Sequence, residues 1–166
     1  MTKYWPEFEQ NGKDNITIDW ILTHRGGLAA LDETITKAIA NDPVLIADAL
    51  AKQAPNWKLS AKVNGYHAFT LGWLMDEIVR RTDPLHRSVA QFFREEIAQK
   101  YGIDFHIGLP LEEEYTMSRI SMPDPVHSAR EIIYDPRVVG CIFSVHAPFD
   151  LPRRVRENPD WFKLQR

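Results

Sequence analysis

Only one cysteine, Cys141, occurs in the chain, so no internal disulfide can form and a reducing compartment is the expectation. No run of 18 apolar residues occurs either, which leaves nothing to span a bilayer as a helix. Charge of one sign is not in excess: 20 basic against 23 acidic residues give a formal net charge of -3. No strong overall field therefore draws the chain to nucleic acid or to an anionic membrane. The opening MTKYWPEFEQNGKDN places aromatic, acidic and amide residues where a secretory leader needs a basic start and an apolar run. Asn15-Ile16-Thr17 has the form of a glycosylation acceptor, which has no meaning without export. Together these absences predict a cytoplasmic protein that does not associate with membranes.

What is present predicts one domain over residues 1–166, long enough to bury a core. Residues 1–15 read as an irregular arm pinned by Tyr4, Trp5 and Phe8, and residues 16–102 as a helical part. Within it, Ile16 to His24 alternates as a strand does, yet Thr17 and Gly26 also bracket a short helix, and the helix is adopted. Leu28, Leu31, Ile35 and Ile39 predict a helix over 28–40. Asp42 and Pro43 open another that Pro55 forbids to continue. Trp57 to Val63 suggests a short strand before the Asn64-Gly65 turn.

The stretch 68–102 reads as two consecutive helices. The first carries apolar residues on more than one side and is expected to be central. The second is expected to start at Asp83-Pro84 and to stop at Gly102. Asp-Pro begins at residues 42, 83 and 124, two steps of 41 (83 − 42 and 124 − 83), and again at 135, but Leu31 and Ile35 fall opposite Gly72 and Asp76 at the offset of 41. The dipeptide is therefore a recurrent helix-start device and does not mark a solenoid repeat. Residues 103–147 predict a small sheet, from the alternation of Ile103, Phe105, Ile107 and Leu109, a partner at 115–122, and the apolar run Val138 to Phe143. Residues 148–166 form a Pro- and Arg-rich tail. The expected class is thus α+β, a helix-rich N-terminal two-thirds packed with a small, mostly antiparallel C-terminal sheet.

Candidate chemistry is sparse. Arg81 and His86 in RTDPLH are separated by four residues and flank a helix junction. That spacing is similar to the arginine-x4–6-histidine signature of HEPN-type ribonucleases. The resemblance implies a phosphate-binding role for Arg81 and proton transfer by His86 in a dimer cleft. His24-Arg25-Gly26-Gly27 precedes a helical pattern but lacks the residues of a P-loop or dinucleotide fingerprint, so no cofactor is expected. The turn–helix shape also fails as a DNA reader, because Asp32 and Glu33 would face phosphates. Asp104, His106 and His146 would form a two-histidine, one-carboxylate metal site if their strands were neighbours. Cys141 reads as a small core residue, and Ser144 with His146 is not a hydrolase signature.

The most suggestive surface is the tail, where Arg153, Arg154 and Arg156 lie near Trp161 and Phe162, with the acidic Glu112-Glu113-Glu114 turn as a natural partner in the same or another subunit. With no catalytic motif above chance, the sequence predicts a non-enzymatic regulator or inhibitor. It would bind a protein through these residues, with homo-oligomerisation open and nucleic acid disfavoured. A small HEPN-like ribonuclease or related hydrolase using Arg81 and His86, and a metal-dependent site at Asp104, His106 and His146, are the alternatives.

Overall fold

The computed structural model describes residues 1–60 and 63–118. Two compact units divide the chain: one contains residues 1–107 and the other begins at Gly108. Among the described residues no helix is long and apolar enough to cross a membrane.

The first unit begins with 3-10 turns over Pro6–Gly12, broken where Gln10 and the positive-φ Asn11 leave helical geometry. Helix α1, Ile18–Leu22, is capped by Thr17, whose side chain accepts from the Trp20 N–H. α2 spans Lys37–Asn41 behind Thr36. α3, Pro43–Lys52, starts where Asp42 accepts from the N–H groups of Val44 and Leu45 and Pro43 takes the first turn. α4 runs over Thr70–Thr82. α5, Val89–Phe93, continues through a π-helical turn at Arg94–Ala98 into α6, Gln99–Tyr101, which ends at the left-handed Gly102.

The core gathers Trp5, Phe8, Ile16, Ile21, Leu28, Leu31, Ile35, Leu50 and Leu74. The N-terminal arm therefore does more than pin itself to the body. Trp5 and Phe8, with ring centroids 4.9 Å apart, are central to the packing of α3 and α4. α4 buries one stripe at four-residue steps, Thr70, Leu74 and Ile78, and not several sides. Its outer residues are tied by Arg80 to Asp76 at 2.7 Å and by Arg81 to Glu77.

Three sequence expectations are corrected. The helix read over 28–40 exists only as α2; Leu28, Leu31 and Ile35 are buried in an irregular segment whose backbone is bonded to residues far away. The helix expected from Asp83-Pro84 starts five residues after Pro84, at Val89. There Ser88 and Gln91 form a capping box, while Asp83 ends α4 and holds Arg87. No strand occurs among the described residues, at 57–60 or at 103–109. Ile103, Phe105 and Ile107 alternate as expected but lie exposed, and residues 119–122 and Val138 to Phe143, expected to pair with them, lie outside the described residues.

Arg87 binds both oxygens of Asp83 and reaches Glu95 and Glu96 at 2.9 Å each. The Arg87 guanidinium, by its hydrogen bond, holds the Asp83 carboxyl down at about 2. These bonds join the end of α4 to α5 and its π-helical turn. In the second unit, 3-10 turns over Leu111–Thr116 carry Glu112, Glu113 and Glu114 in their first turn.

Candidate functional site

Two loops far apart in sequence meet beside the core: His24 to Leu28, which leaves α1, and Gly65 to Thr70, which enters α4. Their join is a backbone frame. The Gly65 N–H donates to the His24 carbonyl at 3.0 Å, and the His67 N–H donates to His24 Nδ1 at 3.1 Å. The Leu28 N–H donates to His67 Nε2 at 3.0 Å, and Thr70 Oγ1 donates to the Leu28 carbonyl. A third segment completes the frame where the Asn56 N–H donates to the Gly27 carbonyl at 2.6 Å and the Ala30 N–H to Asn56 Oδ1 at 2.9 Å.

Glycine is required at two points. Gly27 sits at φ +72, and a Cβ there would meet Leu59 Cδ2 at 2.9 Å; a Cβ on Gly65 would meet the Trp57 ring at 2.7 Å. His24 takes φ +60 without being glycine, a conformation held by the bonds it accepts on both its carbonyl and its ring.

His67 is buried, with 1 % of its surface exposed. The Gly65 carbonyl, 2.6 Å from Nδ1, can only accept, so the proton is on Nδ1; Nε2 keeps its lone pair for the Leu28 N–H. Burial pushes this imidazole down to about 4, partly opposed by the Gly65 carbonyl and reinforced by the positive potential of His24. His67 is thus a neutral structural pin. Beside it Tyr66 is 71 % exposed, with its ring 4.8 Å from that of His24. The frame therefore fixes the backbone of a residue whose phenol remains open to solvent. Such a group can donate a hydrogen bond to a developing oxyanion or pass a proton to a leaving group.

The residues singled out from sequence lie elsewhere. Arg81 is engaged by Glu77 and by Glu7 at 2.9 Å and stacks over Trp5 at 5.4 Å. Exposed His86, at φ +52, places Nδ1 2.8 Å from the Arg80 carbonyl. Arg25 is held by Asp19 at 2.5 Å and Thr23 at 2.8 Å, and no helix follows Gly27 until α2, so the anion-site geometry is absent. Asp104 is exposed and 3.4 Å from His106 Nε2. Among the described residues no three metal-ligating side chains converge. His146, Cys141, Ser144, Arg153, Arg154, Arg156, Trp161 and Phe162 lie outside the described residues.

Tyr66 and His67 were not singled out for chemistry from sequence. The one local signal was the Asn64-Gly65 turn before them; the partners that give them meaning are about 40 residues earlier, His24 to His67 spanning 43 positions.

Comparison with known proteins gives these loops a setting. Residues 1–139 match the Beta-lactamase family model. The chain is 33% identical over 128 residues to the "Esterase/beta-lactamase LipL" of Mycobacterium tuberculosis, covering 76% of this chain and 29% of that protein. The structure of EstA from Arthrobacter nitroguajacolicus Rue61a is 36% identical, with a TM-score of 0.67, over 75% of this chain and 33% of its own. A family VIII carboxylesterase is 32% identical, with a TM-score of 0.65, over 72% and 33%. The chain thus spans about a third of the length of these relatives.

These matches overturn two expectations. The homologous fold is α/β and not α+β. The matched proteins are serine hydrolases, which points to a hydrolase and not to a non-enzymatic regulator or inhibitor. The misreading has a plain cause in the residues. Penicillin-binding proteins and class A β-lactamases carry their nucleophile in S-x-x-K. None of Ser60, Ser88, Ser118, Ser121, Ser128 or Ser144 has a lysine three positions on.

Proposed function

The chain belongs to the beta-lactamase family, and from that membership we propose that it contributes the Tyr66 side of an acyl-transfer site that hydrolyses carboxylic esters. The observation that carries this reading is the exposed Tyr66 phenol on a loop whose backbone is fixed by His24, Leu28 and the buried neutral His67. Preorganisation of that kind is what transition-state stabilisation needs, because a donor already in place pays no reorganisation as charge develops. Esters are preferred over β-lactams because the family VIII carboxylesterase is named for esters alone, while LipL is named for both activities.

In this reading a serine hydroxyl gives up its proton as its oxygen attacks the ester carbonyl, whose oxygen becomes an oxyanion; that proton leaves with the alcohol, and water then attacks the acyl-enzyme to release the carboxylic acid and restore the serine. The reading gives Tyr66 the proton transfer, and the His24 ring lies 4.8 Å from its own. No S-x-x-K segment occurs in these 166 residues.

The test is a graft of this chain in place of the matching third of EstA, assayed with a short p-nitrophenyl ester and with a chromogenic cephalosporin. Turnover of the ester at a rate near that of the parent supports the reading. A folded graft that cleaves neither substrate overturns it, and one that cleaves only the cephalosporin overturns the choice of ester.

A further inference from the structure

The most deeply buried charge in the described residues lies outside the proposed site. Lys13 is 0 % exposed, and its Nζ donates to the carbonyls of Ala51 at 2.8 Å and Gln53 at 2.6 Å, with the Phe8 ring 5.2 Å away. Between those carbonyls, Lys52 O accepts from Asn11 Nδ2 at 2.7 Å. Three consecutive carbonyls at the end of α3 are therefore capped by a segment about 40 residues earlier. A helix usually leaves such carbonyls to water, to a left-handed glycine or to a lysine of its own last turn. Burial pushes the Lys13 ammonium down to about 8. Exposed capping would avoid that desolvation, so an intact end of α3 is held here at a cost.

The end of α3 leads directly to the proposed site. Gln53, its C-cap, uses its side chain to accept from the Asp32 N–H at 2.6 Å and to donate to Asp32 Oδ2 and the Ala54 carbonyl, each at 2.8 Å. Three residues on, Asn56 binds Gly27 and Ala30. Residues 27–32 are thus held on one side by 53–56 and on the other by His67 and Thr70 through Leu28. The segment is irregular, so its register depends on such bonds to other segments, those from 53–56 among them.

We propose that Lys13 is a positioning residue for the Tyr66 loop, locking the end of α3 so that Gln53 and Asn56 hold Gly27 and Leu28 where His67 can bind them. This assignment rests on the reading of that loop as part of the hydrolase site.

Native-state hydrogen exchange of the 166-residue chain tests it without any need for activity. Lys13→Met removes the charge and keeps the length. The Leu28, Ala30 and Asn56 amides are expected to exchange at least tenfold faster, while Leu74 and Ile78 in α4 keep their protection. A role in overall stability alone would accelerate α4 by the same factor, and either that result or unchanged exchange at all five amides overturns the proposal. Gln53→Leu keeps the ammonium and cuts the next link, so the same three amides should loosen. If Lys13→Met does not fold, this variant decides, and unchanged protection of Leu28 and Ala30 overturns the path. Loosened amides in the chain together with an inactive EstA graft would retain the positioning path and remove the site reading.

Discussion

Lowering the pH should loosen the Tyr66 loop through His67 before it affects most of the core. In the unfolded chain this imidazole takes up a proton near 6.5, whereas burial lowers it to about 4 in the fold. Between those values the unfolded state holds a proton that the folded state refuses. Stability therefore falls as pH drops from 6.5 to about 4 and is unaffected by this group above 6.5. The full difference corresponds to about 3 kcal/mol, with a limiting slope of about 1.4 kcal/mol per pH unit. The geometry supplies the reason: a proton on Nε2 would point at the Leu28 N–H, while Nδ1 is already committed to Gly65. Urea unfolding followed by tryptophan fluorescence, from pH 7.5 to pH 4, should show this slope in the parent. It should be missing in His67→Gln, which cannot titrate. Other acid-sensitive groups act in both proteins and cancel in the difference. Parallel stability curves for parent and variant would refute the assignment of a buried neutral His67.

Two further outcomes follow from the same bonds. Gly27→Ala should lower stability by about 1–3 kcal/mol in a thermal melt, because φ +72 and the 2.9 Å approach to Leu59 Cδ2 both oppose a side chain. Asp83 contributes in acid: its carboxyl is held at about 2 by Arg87, against 3.8 ordinarily, so its stabilisation is complete above 3.8 and lost as pH falls through 2. Asp83→Asn should flatten the acid limb of the melting-temperature curve between pH 4 and pH 2, and an unchanged limb would place the acid sensitivity elsewhere.

Local signals were legible where a side chain caps its own helix. Thr17, Asp42 and Gly102 each act within a few residues of themselves, and each does what its chemistry suggests. Asp83-Pro84 misled because the acceptor was claimed by Arg87, and the competing Ser88-x-x-Gln91 box, present in the sequence, fixed the start instead. Leu28, Leu31 and Ile35 misled in another way. Three- and four-residue spacing can arise when an irregular segment is buried, and here the backbone is satisfied by His67, Asn56 and Gln53 side chains, not by a helix. The site was illegible for a similar reason: His67 reads as a lone histidine until Leu28, 39 residues away, is brought to its Nε2. Family membership was not visible at all, since the S-x-x-K pattern that announces such hydrolases is not among these residues.

The most direct test of the central claim is the kcat/KM for ester hydrolysis of the EstA graft carrying Tyr66→Phe, which removes one oxygen from an exposed ring and leaves the His24, Leu28 and His67 bonds in place. Loss of a proton-transfer or oxyanion-binding group should lower it by about a hundredfold or more, with Leu28 amide protection unchanged. A Tyr66→Phe graft as active as its parent would contradict the account.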